Sequence, residues 1–136
     1  MDKYKKADTG KRIVAFIIDH AIISFITLIP FFLLAKDFAS IENFNVFMPV
    51  VMLIALVVYA FKDIFKGRSI GKRIVGLYVR DYVDPAKTPD LIKLIIRNLL
   101  VFIWPVEFFI LIKDKDGRRL GDKLAKTQVM EKNRLY

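Results

Sequence analysis

Apart from Lys93 near the start of the second, four ionisable residues stand well inside two long apolar runs of this sequence. Asp19 and His20 lie in "KRIVAFIIDHAIISFITLIPFFLL", and Arg97 and Glu107 lie in "LIKLIIRNLLVFIWPVEFFILI". A carboxylate in hydrocarbon can bind a cation, hold and release a proton, or pair with a buried base, and an intramembrane ionisable group reads by default as one of these. On an insertion scale a mid-membrane Asp costs ~2.5–3.5 kcal/mol, while Leu, Ile, Phe and Val each return ~0.3–0.6 kcal/mol. Residues 13–35 contain 15 such apolar residues, worth roughly 7 kcal/mol together. The helix therefore inserts with its carboxylate in place.

Spacing narrows the partners. Arg12 and Asp19 are seven residues apart, on one helical face but about 10 Å apart along the axis. Arg12 can snorkel to the headgroups, which leaves Asp19 in need of a partner at depth. Arg97 reaches a similar depth if its run enters from the same side, so a buried Asp19–Arg97 pair is expected, with Glu107 returning near it. Such a pair either tunes an ion or proton site or only fixes helix packing. His20 points ~100° away from Asp19. It is either a proton relay that titrates near neutral pH or a quiet hydrogen-bonding residue at a helix interface.

Other chemistries find little support. One His and no Cys leave no ligand set for a metal, and no cofactor is implied. "GRSIGKR", 67–73, is one residue short of a phosphate loop and has Arg where the hydroxyl belongs; its glycines suit close helix approach instead. No nucleophile constellation points to an enzyme.

The elements that must position these residues follow from the apolar runs. Residues 13–35 carry one charge in 23, residues 46–61 none in 16, and residues 91–112 three in 22. A span needs ~20 residues at ~1.5 Å each. The expected fold is an all-α membrane protein of one domain over 1–136. Its spans are about 12–35 and 45–62, with a hinged segment at 91–112 and a basic tail at 113–136. Asp8 or Thr9 can cap the first helix, Pro30 should kink it, and Pro49 falls in the first turn of the second. The third segment reads as two half-helices hinged at Trp104-Pro105 that re-enter one side, or as a kinked full crossing. "KRIVGLYV", 72–79, and "AKTQVM", 125–130, are strand-like and would form a short cytoplasmic pair if they lie on one side. No internal repeat is evident.

Of 23 Lys and Arg, 20 flank the apolar runs, at 3–12, 62–87 and 113–134. Positive-inside bias then places the N-terminus, the middle segment and the tail in the cytoplasm, and favours anionic headgroups as partners over nucleic acid, despite a net charge of +9. The first run is too long for a signal-peptide core and lacks a small-x-small cleavage site.

Taken in order, these motifs resemble the RDD family of membrane proteins. Arg12 and Asp19 in "KRIVAFIID" match the family's arginine and first aspartate, and Asp122 in "RRLGDKLAKTQV" is similar to its second. "GRSIGKRIVGLYV" and "IIRNLL" resemble two further elements. The resemblance covers about 10–130 and implies a bacterial plasma-membrane protein, with ion or small-solute transport suggested. It draws attention to Asp122, for which a structural reading is a salt bridge to Arg73 or Arg12 that ties the tail to the bundle. Lys126 stands where the family has glycine, and Asp84-Pro85 replaces an Asp-Gly turn. If that glycine serves a positive φ, Lys126 implies altered geometry before the last strand.

Two functions remain: movement of an ion or small solute through Asp19, assisted by Glu107 or His20, or an accessory protein whose buried charges lock the fold. Two spans and a hairpin enclose little volume, so transport implies a homo-oligomer or a membrane partner.

Overall fold

The computed structural model describes residues 4–34 and 41–132. Of the short loop expected at 36–43, residues 36–40 lie outside them and residues 41–43 are helical instead; the last four residues of the tail also lie outside them. The chain runs β1 (Tyr4–Lys6), α1 (Thr9–Leu34), α2 (Ile41–Phe61), α3 (Ile70–Val75), β2 (Leu77–Asp81), α4 (Leu91–Leu99), a 3-10 turn (Leu100–Ile103), α5 (Trp104–Lys113), α6 (Leu120–Leu124) and β3 (Thr127–Lys132).

Two helices are long and apolar enough to cross a membrane, over Thr9–Ile29 and Phe44–Phe61, and α4 with α5 forms a third, broken pair. Asp8 opens α1 by accepting from the Lys11 backbone N–H at 3.1 Å, one of the donors that a helix start leaves unpaired. The helix then continues through Pro30. α2 begins four residues earlier than its apolar run suggests, so Pro49 lies inside it rather than in its first turn. Helices α4 and α5 are bent by 105° to one another. The bend occupies residues 100–103, just before Trp104-Pro105, and Pro105 falls in the first turn of α5, where its missing N–H costs no hydrogen bond.

The strand pairing is antiparallel, with Tyr78 opposite Met130 and Val79 opposite Val129. It is flanked by a strand not foreseen, β1, giving the order β1-β3-β2. Residues 72–75, expected as strand, are helical. Ser69 caps α3 by accepting from Lys72 N, and Gly76 ends it in the left-handed region at φ 76°, a helix stop that outweighs the β-branched content. Lys126 takes the corresponding position before β3 at φ 51°. The backbone geometry of a glycine is therefore kept, and the strand that follows pairs normally. A small core of Ala7, Ala15, Leu77 and Val129 fastens the sheet to α1.

The chain does contain an internal repeat. "KDIFKGRSIGKRIVGLYV", 62–79, returns one residue shorter as "KDKDGRRLGDKLAKTQV", 113–129, with Gly67, Arg68, Gly71 and Val79 each repeated 50 positions later. Both copies follow a pair of helices and form the same unit: a short helix, one left-handed residue and a strand. Their strands are β2 and β3, which pair with each other.

Candidate functional site

The repeated glycines carry the site. A Cβ on Gly71 would lie 2.2 Å from the Ala15 carbonyl oxygen, so α3 rests directly on the backbone of α1. At that approach the Gly71 N–H donates to Asp19 Oδ1 at 2.8 Å. In the second copy, a Cβ on Gly121 would lie 2.1 Å from the Arg97 carbonyl oxygen, and the Gly121 N–H donates to Glu107 Oε1 at 3.0 Å. Each intramembrane carboxylate thus accepts a backbone donor that only a residue without a side chain can bring so close.

The expected Asp19–Arg97 pair does not form. Asp19 Oδ2 faces Lys62 Nζ at 3.8 Å, while Arg97 Nη2 contacts Asp122 Oδ1 at 2.6 Å and Arg97 Nη1 lies 3.7 Å from Asp63 Oδ2. The physical reason is the seating of α3 and α6. Gly71 takes one oxygen of Asp19, and α6 sits on Arg97 and carries Asp122 to it. Glu107 returns to this cluster through Arg119, whose Nη1 donates to Glu107 Oε2 at 3.2 Å.

Asp122 is the hub. Its Oδ2 accepts from Arg12 Nη2 at 2.7 Å and from the Arg119 backbone N–H at 3.3 Å, and Arg12 also donates to the Gly117 carbonyl. Of the two arginines expected as partners of Asp122, Arg12 contacts it. Arg73 is exposed, with its guanidinium 5.9 Å from the Phe65 ring centroid. Asp63 forms a second centre, accepting from Lys72 Nζ at 2.5 Å and from Asn98 Nδ2 at 3.1 Å. Burial alone would raise the carboxyls of Asp63 and Asp122. Lys72, Arg97 and Lys62 overcome it at Asp63, and Arg97, Arg119 and Arg12 overcome it at Asp122, so both are held well below the usual carboxylate range.

His20 lies outside this network. Its Nδ1 contacts the Tyr59 hydroxyl, and Phe16 stacks on its ring at 5.7 Å. Phe16 also meets Phe108 edge-on at 5.0 Å, tying α1 to α5.

Asp19 differs from the other carboxylates in having one oxygen only loosely met. It lines a cavity of about 30 Å³, together with Arg12, Lys62, Lys72, Arg97 and Arg119, a volume that suits a water or a monatomic ion. Five bases and one acid line it, so a bare cation meets repulsion unless one base is neutral. Lys62 is the candidate. Burial, and then neighbouring Lys72, brings its ammonium down to about 7, and its Nζ sits 4.9 Å from the Tyr59 ring centroid. Among the described residues no cluster of three or more His, Asp or Glu could hold a metal ion.

Lys62, Asp63, Lys72 and Arg119 were not singled out from sequence, where they read as flanking charge. The repeat is a signal for Lys62 and Asp63, since Lys-Asp recurs ahead of Gly-Arg in both copies. Lys72 and Arg119 correspond to Asp122 and Ser69 in the other copy and carry no such mark.

Apolar helices around a buried cluster of acidic and basic side chains define an integral membrane protein. The RDD family model matches residues 6–126, and the chain belongs to the RDD family. Neither a curated protein nor a solved structure matches it.

Proposed function

We propose that the protein exchanges a proton for a monovalent cation, with Asp19 as the cation site and Lys62 as the group that competes for it. When Lys62 is protonated it neutralises Asp19. When it gives up its proton, which burial makes possible near neutral pH, Asp19 becomes an uncompensated carboxylate on a cavity large enough for one small ion. One proton leaving then admits one cation. The observation that carries this reading is the 3.8 Å separation of Asp19 Oδ2 from Lys62, in a cluster whose other carboxylates are held at 2.5–2.7 Å or by several donors. The activity proposed is transport, not enzymatic turnover.

The pairing of β2 with β3 supports a re-entrant reading of α4 and α5, because β2 precedes the pair and β3 follows it. With 20 of the 23 Lys and Arg in the segments on that side, we assign it to the cytoplasm. Only 11% of the α2 span Phe44–Phe61 is buried, which leaves that helix a face for lipid or for a second copy that completes the pathway.

The test is cation-driven proton flux in proteoliposomes. Wild-type flux, lost in Asp19→Asn at unchanged folding, is the expected result. An accessory role is the second reading, favoured by the chain Arg12–Asp122–Arg97–Asp63–Lys72, which ties the tail to the bundle. Under that reading neither protein carries flux, Asp19→Asn unfolds more readily than wild type, and Asp19→Asn with Lys62→Met regains the loss.

A further inference from the structure

Beside Asp19, on the outer side of α3, a groove of about 440 Å³ runs between α1, the end of α2 and α3. Ile22, Ile26 and Val58 form its apolar wall. At its mouth it meets a second hollow of about 470 Å³, lined by Phe65, Lys66, Arg68 and Arg73. From Asp19 to Ile26 the groove follows α1 for about 10 Å. Its two ends therefore differ in chemistry, with hydrocarbon along the helices and three cations at the mouth.

The mouth is built to present charge. Arg68 is held by its Nε, which donates to the Leu77 carbonyl at 3.1 Å, and by stacking 4.0 Å from the Tyr78 ring centroid. Lys66 and Arg73 are exposed beside it. Phe65, Ile70 and Ile74 stand 69%, 55% and 67% exposed among these cations, a pattern of apolar and basic side chains that suits the boundary between acyl chains and headgroups. The one carboxylate lining either hollow is Asp19, and its oxygens already face Gly71 and Lys62.

We propose that this groove binds one anionic phospholipid, with the phosphate at Lys66, Arg68 and Arg73 and an acyl chain along Ile22, Ile26 and Val58. A soluble phosphate would leave the apolar wall uncovered, and a zwitterionic lipid would leave the cations without net compensation. Only a ligand with both parts matches both ends. The site does not depend on transport, and it is more specific than the general attraction of basic flanks to an anionic surface.

The full-length protein, delipidated in a neutral detergent, is titrated with phosphatidylglycerol or phosphatidylcholine of the same chains, and lipid retention is read by native mass spectrometry. Wild type should retain one phosphatidylglycerol in preference to phosphatidylcholine. Lys66→Gln with Arg73→Gln should weaken that binding by about tenfold or more, given the attraction that each basic residue contributes near an anionic surface. Lys87→Gln with Lys132→Gln, which removes equal charge elsewhere, should change it by less than about twofold. Ile26→Trp, which fills the groove and leaves the cations, should also lose the lipid, and millimolar glycerol phosphate should not displace it. Equal losses from the two charge pairs would reduce the effect to diffuse attraction and overturn the proposal. Full displacement by glycerol phosphate, or equal retention of both lipids, would overturn it as well.

Discussion

Replacing Gly71 by alanine places a methyl 2.2 Å from the Ala15 carbonyl oxygen and 2.9 Å from Asp19 Oδ1. Heavy atoms in ordinary contact stand about 3.5 Å apart, so α3 must retreat by roughly 1 Å. That retreat stretches the 2.8 Å bond from Gly71 N to Asp19 beyond hydrogen-bonding range. Overpacking costs about 1–3 kcal/mol, and the lost bond to a charged group about 1.5–3 kcal/mol. Alanine's better helix propensity returns about 1 kcal/mol, for a net loss of roughly 1.5–5 kcal/mol. Gly121→Ala should behave alike, because its methyl meets the Arg97 carbonyl at 2.1 Å and Glu107 at 2.9 Å. Gly76→Ala is the control. Nothing lies within 4 Å of its Cβ, so its cost is only that of a left-handed alanine, about 1–2 kcal/mol. Equilibrium unfolding in one detergent, followed by far-ultraviolet circular dichroism, ranks the three. If Gly71→Ala and Gly121→Ala lose no more than Gly76→Ala, the close approach does not organise the site and the reasoning fails.

Acid and alkali should act on different groups. Asp63 and Asp122 have folded pKa values below their ordinary 3.8. The unfolded chain therefore binds more protons in acid, and stability present above about pH 4 is lost as pH falls towards the folded values; denaturant titrations across pH 2 to 6 check this. Lys62 has a folded value of about 7 against 10.5, so the unfolded state again holds the extra proton, and stability should rise from pH 7 to 10.5 and flatten in Lys62→Met. Lys126→Gly should stabilise by up to about 1 kcal/mol, since it relieves a left-handed residue at the expense of backbone entropy; a lower unfolding midpoint would contradict the reading of φ 51°. The chain lacks cysteine, so Lys132→Cys gives a single reporter. It should resist a membrane-impermeant thiol reagent applied outside intact cells, and labelling would refute the re-entrant topology.

The apolar runs, their lengths and the basic segments between them are properties of composition along the chain. They specify two spans and a broken third segment because insertion depends on summed local hydrophobicity. The capping chemistry of residues 69–76 is equally local. Ser69 and Gly76 bracket a helix there, although the β-branched content around Val75 argues for strand. The partners of Asp19 and Arg97 are another matter. A shift of one residue moves a side chain about 1.5 Å along a helix and 100° around it, so depth in the membrane leaves several ion pairings open. What selects among them is how closely α3 and α6 approach α1 and α4. That is set by Gly71, whose stretch already suggested a close helix approach, and by Gly121, which did not stand out in the basic tail; which backbone each glycine meets appears only in space. The sequence by itself determined that charges would be buried in this membrane protein; only the tertiary structure decided which charge meets which, because pairing energy falls with distance and distance here is fixed by packing.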